Sequence, residues 1–267
     1  MGYRTYPDAD VKGQVEDLEL AASELATLRP DLLIPPQTHS RQIIKWSGIC
    51  LCGHSSGAHI ALFMLIERLR KALSHMNSIP KKESSLNDEP KAVNIDSALV
   101  KIYDNIHFDS FIGISGPYNI SDHFDFEANR GVEEISPMKP ACGYSREQFL
   151  DHSPAIRLSK MLIDLNEHKS VCLDQLLPRI LLVHGIEDST VPFTATSVCA
   201  RLLRTCGASR CEELYLGKTG HEDTIMHFML GGKTRDAVME WYLDKFKYHH
   251  EIDIVGEKVM LQTMSSL

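Results

Sequence analysis

The chain has 267 residues, of which 43% are hydrophobic, enough to fill the core of one large domain. Its 28 basic residues fall short of 36 acidic ones, giving a net charge of −8, and this balance excludes the basic footprint expected for nucleic acid or an anionic membrane surface. Seven cysteines without repeating spacing argue against a disulfide framework and for a reducing compartment; the lone Cys50-x-Cys52 pair lacks the partners of a zinc site and reads as two small buried hydrophobes.

In chain order, Val15, Leu18, Ala22 and Leu25 recur at helical spacing and predict an amphipathic helix over 11–28, ending before Arg29-Pro30. A polar, Pro-containing connection follows. Ile49 to Cys52 is a short apolar run suited to a strand buried on both faces, and Ile60, Ala61, Met64, Leu65 and Leu69 give a second helix. The charged stretch PKKESSLNDEPK lies within a polar inserted loop expected at about 76–96. Phe111–Ser115 and Arg179–His184 are further buried-strand candidates. Between them, about 116–159 reads as an irregular, cap-like segment. A helix over 194–206 closes on Gly207, Glu213–Leu216 makes a last strand, and Val238, Trp241, Tyr242 and Phe246 mark a last helix. Strands alternating with helices imply one α/β domain over 1–267, with a mainly parallel sheet covered by helices on both faces. Reactive groups of such sheets collect at the carboxyl ends of the strands. No N-terminal signal peptide and no apolar run of membrane-spanning length is apparent, so the expectation is a soluble, intracellular chain.

Gly53-His54-Ser55-Ser56-Gly57 has the form G-x-S-x-G at the junction of a predicted strand and helix, a context that pushes a serine hydroxyl out of the sheet. Glycines at 53 and 57 are expected to keep that corner from clashing, and the backbone N–H of Ser56 at the helix start is a candidate oxyanion donor. A serine needs a base and an orienting carboxylate. Asp188 follows the third predicted buried strand and His221 the last one, so that Ser55, Asp188 and His221 occur in the order of one particular triad class. The competitors are His227 for the base and Glu187 for the acid. His54, His59 and His184 read as packing or supporting residues. No metal or organic cofactor is required by this chemistry.

The segments Tyr3-Arg-Thr-Tyr-Pro7, GHSSGAHIA, FIGISGPYNISDHFDFEANRGVEEISPM, DHSPAIRL, LPRILLVHGIEDSTVP and Gly220-His221 together resemble α/β-hydrolases of the esterase type, and more closely isoprenylcysteine α-carbonyl methylesterases and related carboxylesterases. The resemblance implies an α/β-hydrolase fold and a small-molecule ester substrate, such as a prenylated cysteine methyl ester. It also implies a substrate channel walled partly by 116–154, with Asn119 and His54 as candidate binding residues. An aryl-formamide hydrolase would use the same triad, and a non-catalytic binding remnant is the alternative from another class. Members of that family carry an H-G-G oxyanion loop upstream of Y-R-x-x-P, so the chain is expected to be truncated at its N-terminal side or weakened in catalysis. Relatives held by upstream spans imply an endoplasmic reticulum or Golgi membrane where such an anchor exists.

Overall fold

The computed structural model describes residues 2–28, 49–78, 106, 108–164, 173 and 176–243. The chain divides into two compact units, Met1–His221 and Glu222–Leu267. Helix α1 (Val11–Leu28) buries Val11, Leu18, Ala22 and Ala26, while Leu25 lies outward. The expected stripe through Leu25 is thus one residue off: Leu18, Ala22 and Ala26 follow one another at a spacing of four and carry the buried face past Leu25.

Strand β1 (Ile49–His54) runs directly into α2 (Ser56–Ser78). Helix α2 is apolar nearly all round, burying Ala58, Ile60, Leu62, Met64, Ile66 and Leu69, and it packs against α1, β1 and β2 (Phe108–Ile114). Among the described residues, strands β3 (Arg179–Gly185) and β4 (Cys211–Leu216) complete a four-stranded sheet in the order β1-β2-β3-β4, with every pairing parallel. Helix α7 (Thr194–Thr205) packs on β3 and β4. It ends at Cys206 with Gly207 at φ 100°, and the Ala208 N–H donates back to Leu203 O, the closure expected for a helix stopped by glycine. Alternate residues of β2 and β3 are buried alike, so both faces of these central strands are covered.

Strand β1 departs from that expectation. Its residues are mostly half-buried, Cys50 among them, and Cys52 is exposed. Among the described residues β1 pairs with β2 alone, and a strand at a sheet margin loses the neighbour that would cover its outer side. The two cysteines are therefore not core residues.

Residues 116–159 are not irregular. They hold α3 (Ile120–Asn129), α4 (Met138–Cys142), α5 (Arg146–Asp151) and the first turns of α6 (Pro154–Asp164). Helices this short carry too few turns for an apolar period to stand out; the starts of α3 and α5 are set by capping instead. Asn119 Oδ1 accepts from Asp122 N–H, and Ser145 with Gln148 forms a reciprocal capping box at the head of α5. Ile120 and Phe149 build a second small core with Val11, Phe63 and Cys142. In the second unit, α8 (His221–Met229, of which His221 belongs to the first unit) is followed by a helix over 233–243 with Val238 and Trp241 buried. The polar connection after Arg29-Pro30, the loop expected at 76–96 beyond the end of α2, and Phe246 lie outside the described residues.

Candidate active site

The parallel ladder continues one residue past the carboxyl ends of β1, β2 and β3. Ser55 N–H donates to Ile114 O at 2.8 Å, Ser115 N–H to Val183 O at 2.8 Å, and Ile186 N–H to Leu216 O at 3.0 Å. These bonds bring the β1–α2 corner, the loop after β3 and the loop after β4 to one sheet edge. Ser55 sits in that corner at φ 54°, a left-handed conformation rare for a residue with a Cβ, and such strain gathers where function requires it. Gly53 makes the corner possible: a Cβ there would come within 2.5 Å of Gly57 O. Gly57 itself has no such constraint, since its Cβ would meet only the Tyr3 ring at 4.0 Å. The expected steric role thus holds for the first glycine of the motif and not for the second.

From this corner Ser55 Oγ lies 3.0 Å from His221 Nε2, and His221 Nδ1 lies 2.7 Å from Asp188 Oδ2. With a carboxylate as the only possible acceptor, Nδ1–H donates to Asp188, which leaves Nε2 to accept the Ser55 hydroxyl proton. Asp188 is buried and its other oxygen accepts from Thr190 N–H at 2.9 Å and Val191 N–H at 2.8 Å. Burial opposes its ionisation, but hydrogen bonds from His184, His221 and the Val191 N–H more than offset that cost and hold the carboxyl below its usual range. Glu187, the rival acid, is exposed, and its N–H is tied to Thr219 O at 3.1 Å. Of the two imidazoles weighed for the base, His221 is the one bonded to Ser55 Oγ.

The two loops that carry Asp188 and His221 touch through Gly185, where a Cβ would lie 2.2 Å from Thr219 O. His54, a candidate binding residue, lies beside His221: the two rings are tilted with centroids 4.7 Å apart, and its Nε2–H donates to His221 O at 3.2 Å. Asn119 is engaged as the cap of α3, its Nδ2 donating to Asp122 Oδ2 at 2.6 Å. Ser56 opens α2, where the first N–H groups have no acceptor within the helix. Its side chain is paired with the Tyr3 hydroxyl at 2.8 Å.

Sequence reasoning missed Tyr3 in this place, as well as Thr196 behind His184 and Arg130, whose guanidinium donates to Ser189 O beside the acid. Position in the pattern gave no signal for them; only the quoted Y-R-x-x-P segment drew notice to Tyr3. Among the described residues no group of three or more His, Cys, Asp or Glu is arranged to hold a metal, and no helix is long and apolar enough to cross a membrane.

The all-parallel sheet, the strained serine corner and the order of the loops define an α/β-hydrolase fold. In sequence the chain resembles isoprenylcysteine α-carbonyl methylesterases. It is 31% identical over 186 residues to isoprenylcysteine alpha-carbonyl methylesterase ICME of Arabidopsis thaliana, covering 69% of this chain and 36% of that protein. It is 29% identical over 192 residues to a probable isoprenylcysteine alpha-carbonyl methylesterase ICME of Oryza sativa subsp. japonica, covering 72% of this chain and 38% of that one. The chain therefore spans well under half the length of these relatives. No protein-family model matches it. Among solved structures, inhibited esterase B from Lactobacillus rhamnosis superposes with a TM-score of 0.53 at 14% identity, over 95% of this chain and 68% of that one. The acetyl ester-xyloside bifunctional hydrolase from Caldicellulosiruptor lactoaceticus gives 0.52 at 16% identity, over 92% and 70%. At such identities these two speak for the fold.

Proposed function

We propose that the chain is a serine hydrolase of carboxylic esters, and that its substrate is a methyl ester of a prenylated cysteine. The observation that carries the reaction type is the continuous bonding from Ser55 Oγ through His221 to Asp188 Oδ2. Ser55 Oγ adds to the ester carbonyl as its proton passes to His221 Nε2, and the carbonyl oxygen becomes an oxyanion facing the Ser56 N–H. The carbon–alkoxy bond breaks when the imidazolium returns that proton to the departing alcohol, leaving an acyl group on Ser55. Water, deprotonated by His221, then adds to the acyl carbon and releases the acid and the free serine. Asp188 keeps its charge throughout and holds the imidazole in the Nδ1–H tautomer. The substrate class rests on the names of the two plant relatives.

The test combines fluorophosphonate labelling with hydrolysis of two esters, a small aryl acetate and an S-prenylcysteine methyl ester. Ser55→Ala is expected to abolish labelling and to lower hydrolysis by on the order of 10⁴-fold or more. A wild-type chain that neither labels nor turns over either ester refutes the reading. Preference for the aryl acetate alone refutes the substrate class and leaves the reaction type standing.

A further inference from the structure

The buried imidazole of His184 is left unused by the reaction, yet it is placed against the acid. Both its side chain and that of Asp188 are fully buried, and His184 Nε2 lies 3.2 Å from Asp188 Oδ2, the same oxygen that accepts from His221 Nδ1. The same nitrogen is 3.0 Å from Val191 O. A carbonyl and a carboxylate can only accept, so Nε2 must carry the hydrogen that faces both. On the far side, Nδ1 lies 2.8 Å from the hydroxyl of buried Thr196, which donates to it when the ring is neutral. The tautomer of His184 is therefore set by Val191 O and Asp188 Oδ2, and the Thr196 hydroxyl satisfies the nitrogen left without a hydrogen.

Asp188 is thereby held at both oxygens. Oδ1 is pinned by the Thr190 and Val191 N–H groups of its own turn, and Oδ2 is shared by two imidazoles, one from the end of β3 and one from the residue that opens α8. Without the second imidazole, only the turn contacts to Oδ1 and the bond from His221 would resist rotation of the carboxylate about its Cβ–Cγ bond, and the approach of Oδ2 to His221 would be less firmly fixed. A group that orients a partner of the base in this way behaves like the supporting shell of a metal ligand, acting by geometry and charge without meeting substrate.

We propose that His184 is a positioning residue, which aims Asp188 Oδ2 at His221 through an Nε2–H donor supported from behind by the Thr196 hydroxyl. This rests on the reading of Ser55, His221 and Asp188 as a triad.

Two readouts test it in the full chain. The first is the rate of fluorophosphonate labelling at Ser55. His184→Phe, which keeps a ring and removes the donor, is expected to slow labelling by on the order of 10- to 100-fold, the loss of one hydrogen bond to a charged group, while His184→Gln recovers most of the rate. On an Asp188→Asn background the same His184→Phe change is expected to add less than about twofold, because the group it acts through is already altered. A side chain that only fills space would give the same factor on both backgrounds. The second readout needs no turnover: the low-field proton resonance of His221 Nδ1–H is expected to shift in His184→Phe and to persist in His184→Gln. Should His184→Phe fail to fold by circular dichroism, Thr196→Val takes its place, with a smaller loss that Thr196→Ser restores. Unchanged labelling and an unmoved resonance in a folded variant overturn the proposal. If the wild-type chain does not label at all, the triad reading fails, and the resonance alone still decides whether His184 positions Asp188.

Discussion

Single residues at the strand ends decide whether the three side chains can meet, and glycine is the clearest case. Gly185 closes β3 where the loop after β4 passes over it, and a methyl group there would sit 2.2 Å from Thr219 O, a backbone atom that cannot swing aside. Two bonds lace these loops, Ile186 N–H to Leu216 O and Glu187 N–H to Thr219 O, so any displacement of Thr219 is passed to both Asp188 and His221. Gly185→Ala is expected to cost about 1–3 kcal/mol in urea unfolding and to slow labelling of Ser55 as well. The serine corner gives a contrast within one motif. Gly53→Ala would press on Gly57 O and is expected to prevent folding or to cost a similar amount. Gly57→Ala, inside α2 with only the Tyr3 ring at 4.0 Å, is expected to leave the midpoint unchanged or raise stability by up to about 1 kcal/mol. A Gly57→Ala variant less stable than wild type would show that the corner is tighter than this geometry. The pattern G-x-S-x-G presents both glycines alike, which is why the sequence could not tell them apart: the contact that separates them depends on how closely the helix folds back on the strand.

Among the elements, α1 and α2 are joined by a pair that apolar periodicity does not reveal. Arg68, only 7% exposed, donates to Glu19 at 2.5 Å and stacks its guanidinium 5.2 Å over the Phe108 ring, so one side chain of α2 reaches both α1 and β2. Glu19 is 28% exposed, so water screens part of the attraction. Glu19→Ala is expected to cost about 1–3 kcal/mol by leaving a buried cation without its carboxylate, whereas the double change Glu19→Leu with Arg68→Met is expected to cost less than the single one. Urea midpoints at constant slope measure both; a double variant worse than Glu19→Ala would mean the ion pair contributes net stability. What was legible at this scale follows signal strength. Helix α2 and strands β2 and β3 stand out because long or continuous apolar runs are hard to place elsewhere. Helices α3 and α5 were hidden because Asn119, Ser145 and Gln148 start them by hydrogen bonds that composition reads as loop. Strand β1 was read as fully buried because its residues Ile49, Cys50, Leu51 and Cys52 are as apolar as those of a central strand. Ser55, Asp188 and His221 could be picked out together because their order along the chain matches the order of strand ends across the sheet; the contacts of His184, Thr196 and Gly185 could not, since they are made between β3, α7 and the loop after β4.

For the whole molecule, the corner that strains Ser55 is anchored through the helix it starts, and this ties the site to global stability through His59. That imidazole lies on the first turns of α2, is fully buried, and donates from Nε2 to His152 O at 2.6 Å, joining α2 to the end of α5. Phe63 packs against both rings, 6.2 Å from His59 and 5.8 Å from His152. Burial first, and then the neighbouring His152 and His123, push its pKa down to about 4, with the bond to His152 O acting the other way. A histidine whose folded pKa is depressed binds its proton more tightly when unfolded, so stability is fully present above about 6.5, falls as pH drops, and is lost once pH passes through about 4. The size of the loss is on the order of 3 kcal/mol for a shift of this extent. Asp188 works in the same direction in a more acid window: its depressed carboxyl contributes stability above the ordinary carboxylate pKa and gives it up only below that, so the two windows are separable. His59→Gln keeps a donor toward His152 O and removes the titration. Urea unfolding at a series of pH values between 7 and 4 is therefore expected to show a steep decline for wild type and a shallower one for His59→Gln, the two curves converging or crossing toward pH 4. Parallel curves would mean that His59 takes up its proton within the fold without cost, and that the join between α2 and α5 opens or hydrates well above pH 4.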